Sequence, residues 1–583
     1  MTGFILISFL AVSILIAVFS SVLSSELNES NQTRFHYFIG SRTLAWPWIA
    51  GSLLVGHLSI EHLIVYNKMT FQNGYLPILI GEIIAAFSIM ISSLIVLPRY
   101  WSAGIISLPE FIGQRFDRNT RKLITILFLI AYGMILLPLV LFTGAWAFQS
   151  IFELSISINY IVVGLGILGG WYALNGFNVM RISDGIYSLA LLLCILAIPA
   201  LAMFEFGDGS LLLGLEQIFI NHSETLHPGS TFSLTTNTHT VPWDTFCTGM
   251  IVFQLFLWSS HQVNMQRVLG AKTLAESQKV MFFSAFIRLI IPFVLCLPAI
   301  LAWQFLGELS VAVHPKLLAE ALKSSDMSTT EAFTLAQNIL DSGASRISLE
   351  TAEILKPLGL SFGDQIYSAM LRRLLPEWSL GLVAAVLFGL VITTYNSILH
   401  STSTLFVLEF YNDSSRKQGK EGERPTDKNL ENVAKVTTLA LVICSLCLVF
   451  LLMQMESILV YLQLVNGLWS VPIASVFLVG FVNKKAPASF AKLAIGLTLS
   501  LYLFLSFYPV VDLHWLHIYF ICFMIAVACL ILGAWLRPKT LVPLEASDHD
   551  LSSTTHIEPW IYAKQATFTL IGLMVIIISL QAL

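Results

Sequence analysis

Apolar runs of about 20 residues recur along the whole of this sequence. Each is long enough to cross the hydrocarbon core of a bilayer as an α-helix, which takes roughly 20 residues. Only 11% of the residues are Asp, Glu, Lys or Arg, where a soluble domain carries about 25%, and the mean hydropathy is +0.79. So large an apolar surplus needs an apolar solvent, and a bilayer is one. The chain is expected to be an all-α integral membrane protein with the lipid bilayer as its first partner.

The candidate spans are 4–24, 45–67, 75–98, 122–149, 157–176, 183–205, 244–263, 280–305, 378–409, 432–453, 455–481, 488–508, 514–536 and 565–582. The span 45–67 is the weakest by hydropathy, because it holds His57, Glu61 and His62. The run 4–24 lacks a basic segment ahead of it, so it is expected to be a membrane helix and not a secretory signal. Lys and Arg test the count, because they favour cytoplasmic loops. They gather at 99–122, around Arg181, at Arg267, Lys272 and Lys279, in 411–431, at Lys484 and Lys485, and at Arg537, Lys539 and Lys564, whereas 206–243 has none. The alternation holds for fourteen spans, fails if one is dropped, and puts both termini outside the cell. The outer segment 306–377 breaks the pattern with Lys316, Lys323 and Lys356. It is long enough for the rule to lapse, and its amphipathic stretches are expected to form short helices over the outer face.

The net charge of −4 argues against a nucleic-acid partner, which favours a basic patch. Cys444 and Cys447 have CxxC spacing but stand inside an apolar run, where cysteine packs as a small hydrophobe. No HExxH, GxSxG or P-loop pattern stands in the spans, so no enzymatic activity is expected.

Ionisable groups at membrane depth cost roughly 2.5–3.5 kcal/mol each on insertion, and this chain keeps several. Glu61 and His62 fall mid-span in SLLVGHLSIEHLIVY, Glu82 in LILIGEIIAAF, Gln254 in MIVFQLFLWSS, Arg288 in FFSAFIRLIIPF, Gln463 in ILVYLQLVNGLW, and Thr393 and Thr394 in FGLVITTYNSILHS. Each has a plainer reading. A lone Gln or Thr bonds a neighbouring helix or its own backbone, His57 packs as a satisfied histidine, and Glu82 or Arg288 forms an interhelical ion pair. Taken together, two carboxylates, an arginine, two histidines and two glutamines over five spans point to a polar cavity.

Five stretches in order carry a family resemblance: HYFIGSRTLAWPWIAGSLLVGHLSIEHLI at 36–64, SLPEFIGQRFDRNTRKL at 107–123, GGWYALNGFNVMRISDGIYSL at 169–189, LWSSHQVNMQRVLGAKTLAESQK at 257–279 and ITTYNSILHSTSTLFVLEFY at 392–411. The chain resembles the solute:sodium symporter family and, within it, the sodium/glucose cotransporter branch. That resemblance implies an inverted repeat of five plus five helices, a LeuT-like core. The first repeat would be 45–205 and the second 244–481. Residues 1–44 would be a peripheral first helix and inner linker, and 488–583 peripheral C-terminal helices.

The resemblance also implies a sodium ion, Na+, in an oxygen cage between the first and eighth core helices. Its ligands would be the backbone carbonyls of Val55, Leu58 and Leu390 and the hydroxyls of Thr393 and Thr394, the hard donors such a cation takes. A solute site of hydroxyl-bonding groups would comprise His62, Glu82, Gln254, Trp258, Arg288 and Gln463, with Glu61 and His57 beside them. Leu257 stands where the branch has an aromatic gate and His57 where it has Asn. Arg288 replaces a Lys, and its planar fork suits carboxylates. The expected activity is sodium-coupled uptake of a small polar solute by alternating access, with a sugar as the first reading. A sugar acid, a polyol or another carboxylated solute is the alternative, unless Glu61 or Glu82 neutralises Arg288. A proton-coupled transporter and a non-transporting sensor of the same fold stand as rivals. Asp184 is either a second cation site or a structural charge beside Arg181.

Overall fold

The computed structural model describes parts of 9–20 and, apart from a few residues within them, 36–216, 245–302, 366–411, 427–453, 458–508, 513–538 and 557–582. The expected short helices of 306–377 lie mostly outside the described residues, apart from Ile366–Leu374. All regular elements among the described residues are helices.

In chain order the main helices are α1 (Trp46–His57), α2 (Ile60–Asn73), α3 (Leu76–Ala103), α4 (Arg118–Gln149), α5 (Ile158–Ala173), α6 (Phe177–Phe206) and α7 (Phe246–Ser259). They continue with α8 (Gln262–Leu269), α9 (Leu274–Ala302), α10 (Ser379–Tyr411), α11 (Asp427–Leu452), α12 (Ile458–Val482), α13 (Ala488–Phe507), α14 (Trp515–Leu536) and α15 (Ala563–Ala582). Nine helices among the described residues are long and apolar enough to cross a bilayer, the pair α1 and α2 forms one bent span, and four shorter apolar helices fall on the remaining expected spans. Each of the fourteen stretches therefore has a helical counterpart.

One expectation is corrected. The span 45–67 is not a single helix. Leu58 leaves the helical region at φ −92°, ψ 69°, its N–H closing on Leu54 O, and a separate helix starts at Ile60. The last carbonyls of α1, Val55 among them, must then find partners outside their own helix. Four other helices, α3, α4, α7 and α10, widen instead of breaking, and in α3 and α4 a proline follows the widened turn. The five-residue-spaced turns Ser92–Val96 in α3 and Ala131–Leu136 in α4 run into Pro98 and Pro138. A proline offers no N–H and crowds the carbonyl four residues back, so the ladder takes up an extra residue there.

Helix α10 is the hub. In its most apolar window 83% of residues are buried, against 28% in α11 and in α13. It packs on α1, α4, α5, α6 and α11, while α1 also lies on α6, and α3 lies between α7 and α9. The helices α12, α13 and α14 pack on one another.

Polar ties at the helix ends gather the loops. Arg121 pairs with Glu409 at the end of α10, Lys492 Nζ meets Asp117 Oδ2 at 2.7 Å, and Arg115 donates to Gly480 O at 3.1 Å. Residues 115–121, Glu409 and the stretch 480–492 therefore share one end of the bundle. At the other end of α10, Arg373 pairs with Glu205 at 2.7 Å.

Gly249 is fixed by a close approach, because a Cβ there would strike the Leu516 backbone carbonyl of α14. Overpacking of this kind costs roughly 1–3 kcal/mol. Gly249→Ala should lower the melting temperature of the purified protein in detergent by a few degrees. Gly496→Ala, which meets nothing within 4 Å, should leave it unchanged.

Candidate functional site

The polar residues of α1, α2, α3, α7 and α9 converge. Arg288 of α9 donates through Nη1 to both carboxylate oxygens of Glu82 in α3, at 2.7 and 2.5 Å. Tyr66 of α2 donates its hydroxyl to the same Glu82 oxygen, and His62, one turn before Tyr66, meets its ring at 5.3 Å between centroids. The pair is buried, with side-chain exposures of 6% and 2%. Removing one partner of such a pair strands the other and costs far more than replacing both.

Trp258 of α7 joins this group to the end of α1. The Arg288 guanidinium lies 5.1 Å from its ring centroid, and the His57 ring stacks on it at 4.3 Å. Asn264 of α8 donates to Leu257 O at 2.9 Å, which fixes its amide orientation, and to His57 Nε2 at 3.2 Å. A ring carrying its proton on Nδ1 would accept this contact at Nε2. The structure thus brings together His57, His62, Glu82, Trp258 and Arg288. Gln254 lies one turn from Trp258 on α7, buried, with Oε1 making no hydrogen bond, and Trp258 Nε1 is likewise buried and unbonded. The side chains of Glu61 and Gln463 lie outside the described residues.

Two contributors escaped the sequence reading. Tyr66 could have been found, since it follows His62 by one helical turn and so shares its face. Asn264 gave no signal, because it lies in a separate helix beyond the break at Ser260.

The expected cation ligands lie on α1 and α10, which pack directly together. Val55 and Leu58 stand at the broken end of α1. On α10, Thr393 Oγ1 donates to Leu390 O at 3.1 Å, and Thr394 Oγ1 is buried without a hydrogen bond. An unbonded buried hydroxyl costs about 1–3 kcal/mol, which a bound cation would remove. Arg267 of α8 bridges the two helices. Its guanidinium lies where any side chain at Gly56 would stand, and it donates to Ser397 Oγ, which donates in turn to Thr393 O at 2.7 Å.

The sodium:solute symporter family model matches residues 37–352 and 359–495. The chain belongs to this family. It is a multi-pass membrane protein that carries a small solute by sodium-coupled symport, with Na+ as the coupling ion. Among its relatives, the uncharacterized symporter YidK of Escherichia coli is 27% identical over 98% of this chain and 90% of its own length. The sodium/glucose cotransporter of Vibrio parahaemolyticus is 25% identical, covering 87% of this chain and 86% of the relative. The sodium/myo-inositol cotransporter 2 of Bos taurus is 23% identical over 84% of this chain and 69% of its own length. A Na+-coupled sialic acid symporter, solved in a substrate-bound outward-open state, superposes with a TM-score of 0.69 at 17% identity over 92% of this chain and 99% of that one. That likeness shows the fold of this symporter, the inverted five-plus-five core.

A double-mutant cycle reads the buried pair of the symporter. Arg288→Met or Glu82→Gln alone should cost about 3–5 kcal/mol, and the two together much less, because no unpaired charge remains. The check is unfolding of the purified protein in detergent for all four species.

Proposed function

We propose that this symporter takes up a neutral polyhydroxylated solute, a sugar or a polyol, by alternating access between 45–205 and 244–481. The observation that carries the solute class is the grip of Glu82 on Arg288. The one arginine among the clustered residues has its charge balanced within the protein, and in this reading His57 beside it is neutral. A carboxylated solute would bring an uncompensated charge into a buried site, which is costly. A sugar brings a ring of donors and acceptors instead. The unbonded Gln254 Oε1 and Trp258 Nε1 are an acceptor and a donor waiting for such a ring, and His57 and Trp258 give apolar faces for its C–H surface. Glu61 and Gln463 complete the proposed set. The names of the glucose and myo-inositol relatives lie in the same chemical class.

In this reading sodium enters from outside and is held by Val55, Leu58, Leu390, Thr393 and Thr394. It fixes the broken end of α1 against α10. His57 closes α1, and through Trp258 and Asn264 it carries that order into the solute cluster. Both termini lie outside the cell, as the basic loops require. Loss of sodium to the interior then loosens the cluster and frees the solute. One charge crossing ~100 mV releases about 2.3 kcal/mol, and a tenfold sodium gradient adds about 1.4 kcal/mol. Together they support roughly 500-fold accumulation with one sodium per solute.

Uptake into proteoliposomes should be tested against sugars, polyols and sugar acids, with and without a sodium gradient. Sodium-driven uptake of a neutral compound is expected. Thr394→Ala should raise the sodium concentration for half-maximal uptake at least about tenfold, a loss near 1.4 kcal/mol. Selective uptake of sugar acids would overturn the solute class. Uptake that tracks pH and ignores sodium, or is unmoved in Thr394→Ala, would overturn the cation site.

A further inference from the structure

Arg118, Arg121 and Lys122 crowd the start of α4, and no acidic residue stands in its first turn. A helix N-terminus carries a partial positive charge, so cations there oppose the helix that holds them. Local choices that oppose the fold gather at functional sites. With Gly113 and Glu409 these three residues line a cavity of about 310 Å³, at the lower end of the roughly 300–1,000 Å³ of small-ligand sites. Glycine at 113 gives Arg121 its room, because a Cβ there would come within 2.7 Å of Arg121 Cδ. The one carboxylate of the lining is already committed. Arg121 donates to Glu409 through Nε, and through Nη2 at 2.9 Å, and Ser107 Oγ donates to the same carboxylate. Glu409 thereby holds Arg121 as a fixed wall. The carboxylate of the helix cap, Asp117, accepts from Thr120 N and from Lys492 Nζ, each at 2.7 Å. Three cations against one carboxylate make the cavity a place for an anion, and the planar fork of Arg fits phosphate oxygens.

The position of the cavity selects the anion. Arg118 and Lys122 lie one turn apart on one face of α4. That face continues with Ile126 and Ile130, 43% and 46% exposed, in a helix long and apolar enough to cross the bilayer. Apolar side chains exposed on such a helix face lipid. On α10, Phe406 stands one turn before Glu409 and is exposed as well. The cations therefore stand where a row of lipid-facing side chains begins, which is the level of the headgroup phosphates. A soluble anion would use the cations alone, whereas a phospholipid uses the cations and the row together. Basic pockets between membrane helices hold anionic headgroups in this way.

We propose that this cavity binds the phosphate of an anionic phospholipid. Arg118 and Lys122 contact the phosphate, Arg121 is the positioning residue held by Glu409, and Ile126 and Ile130 lie against an acyl chain. A bound headgroup offsets the positive charge crowded at the start of α4 and so steadies the tie between α4 and α10. The site stands about four turns along α10 from Thr394 and takes no part in the proposed solute site.

The test titrates delipidated full-length protein in a non-ionic detergent with phosphatidylglycerol or with phosphatidylcholine and counts bound lipid by native mass spectrometry. Both lipids carry the phosphate, but choline cancels its charge. Phosphatidylglycerol should bind about 25-fold more tightly, since each of two cations near the headgroup contributes about fivefold. Arg118→Gln, at an exposed residue, should cut the preference about fivefold, and Arg118→Gln with Lys122→Gln should abolish it. Lys484→Gln with Lys485→Gln, which removes two exposed cations at the same end of the bundle, should leave the preference unchanged. Millimolar inorganic phosphate should leave the lipid bound. Equal binding of the two lipids overturns the proposal. So does a preference that survives Arg118→Gln with Lys122→Gln, or one that falls as far in Lys484→Gln with Lys485→Gln. Displacement of the lipid by inorganic phosphate overturns the lipid as the source of the anion.

Discussion

Everything in this symporter depends on one interruption of helical hydrogen bonding inside a membrane span. In hydrocarbon each backbone N–H and C=O must find a partner within the protein, so a break is tolerated only where other groups or bound ions replace the lost bonds. Leu58 ends α1 halfway through its span and frees carbonyls beside the most buried helix of the bundle. Thr393 and Thr394 lie across from them on α10, one hydroxyl folded back on Leu390 and the other unbonded. In the proposed function a cation there would restore what the break removed. His57, the last residue of α1, stacks on Trp258 and meets Asn264, so the break also positions the buried polar cluster.

Three ion pairs cancel charge within the bundle and at its end. Glu82 balances Arg288, Asp184 balances Arg181, and Glu409 balances Arg121. Each pair joins residues that a bilayer would otherwise reject. The pairs differ in place. Glu409 and Arg121 tie helix ends at the face where the basic loops gather. Glu82 and Arg288 join α3 to α9 beside the solute cluster, and there the balance bears on function.

Arg267 occupies a position that no single motif explains. It passes from α8 to the broken end of α1 and to Ser397 on α10, and glycine at residue 56 is the condition for its entry. It thereby lies next to the hydroxyl layer of Thr393 and Ser397.

Much of this was legible in the residue order because the bilayer imposes lengths and charges that a sequence cannot hide. Apolar runs near 20 residues marked the spans, and the basic loops fixed which ends meet. The costly residues Glu82, Arg288, His57 and His62 marked themselves by lying where hydrocarbon disfavours them. The break at Leu58 was not legible, since no glycine or proline stands at Leu58 to announce it. Nor was the choice between partners. Arg288 in the sequence suits a carboxylated solute as well as an internal carboxylate, and Asp184 suits an ion as well as Arg181. Distances place Glu82 against Arg288 and Arg181 against Asp184. Sequence alone determined the membrane class, the apolar stretches that become helices and the list of polar intruders. Tertiary structure alone decided which intruders neutralise one another, because residues as far apart as 82 and 288 become neighbours only when the helices pack.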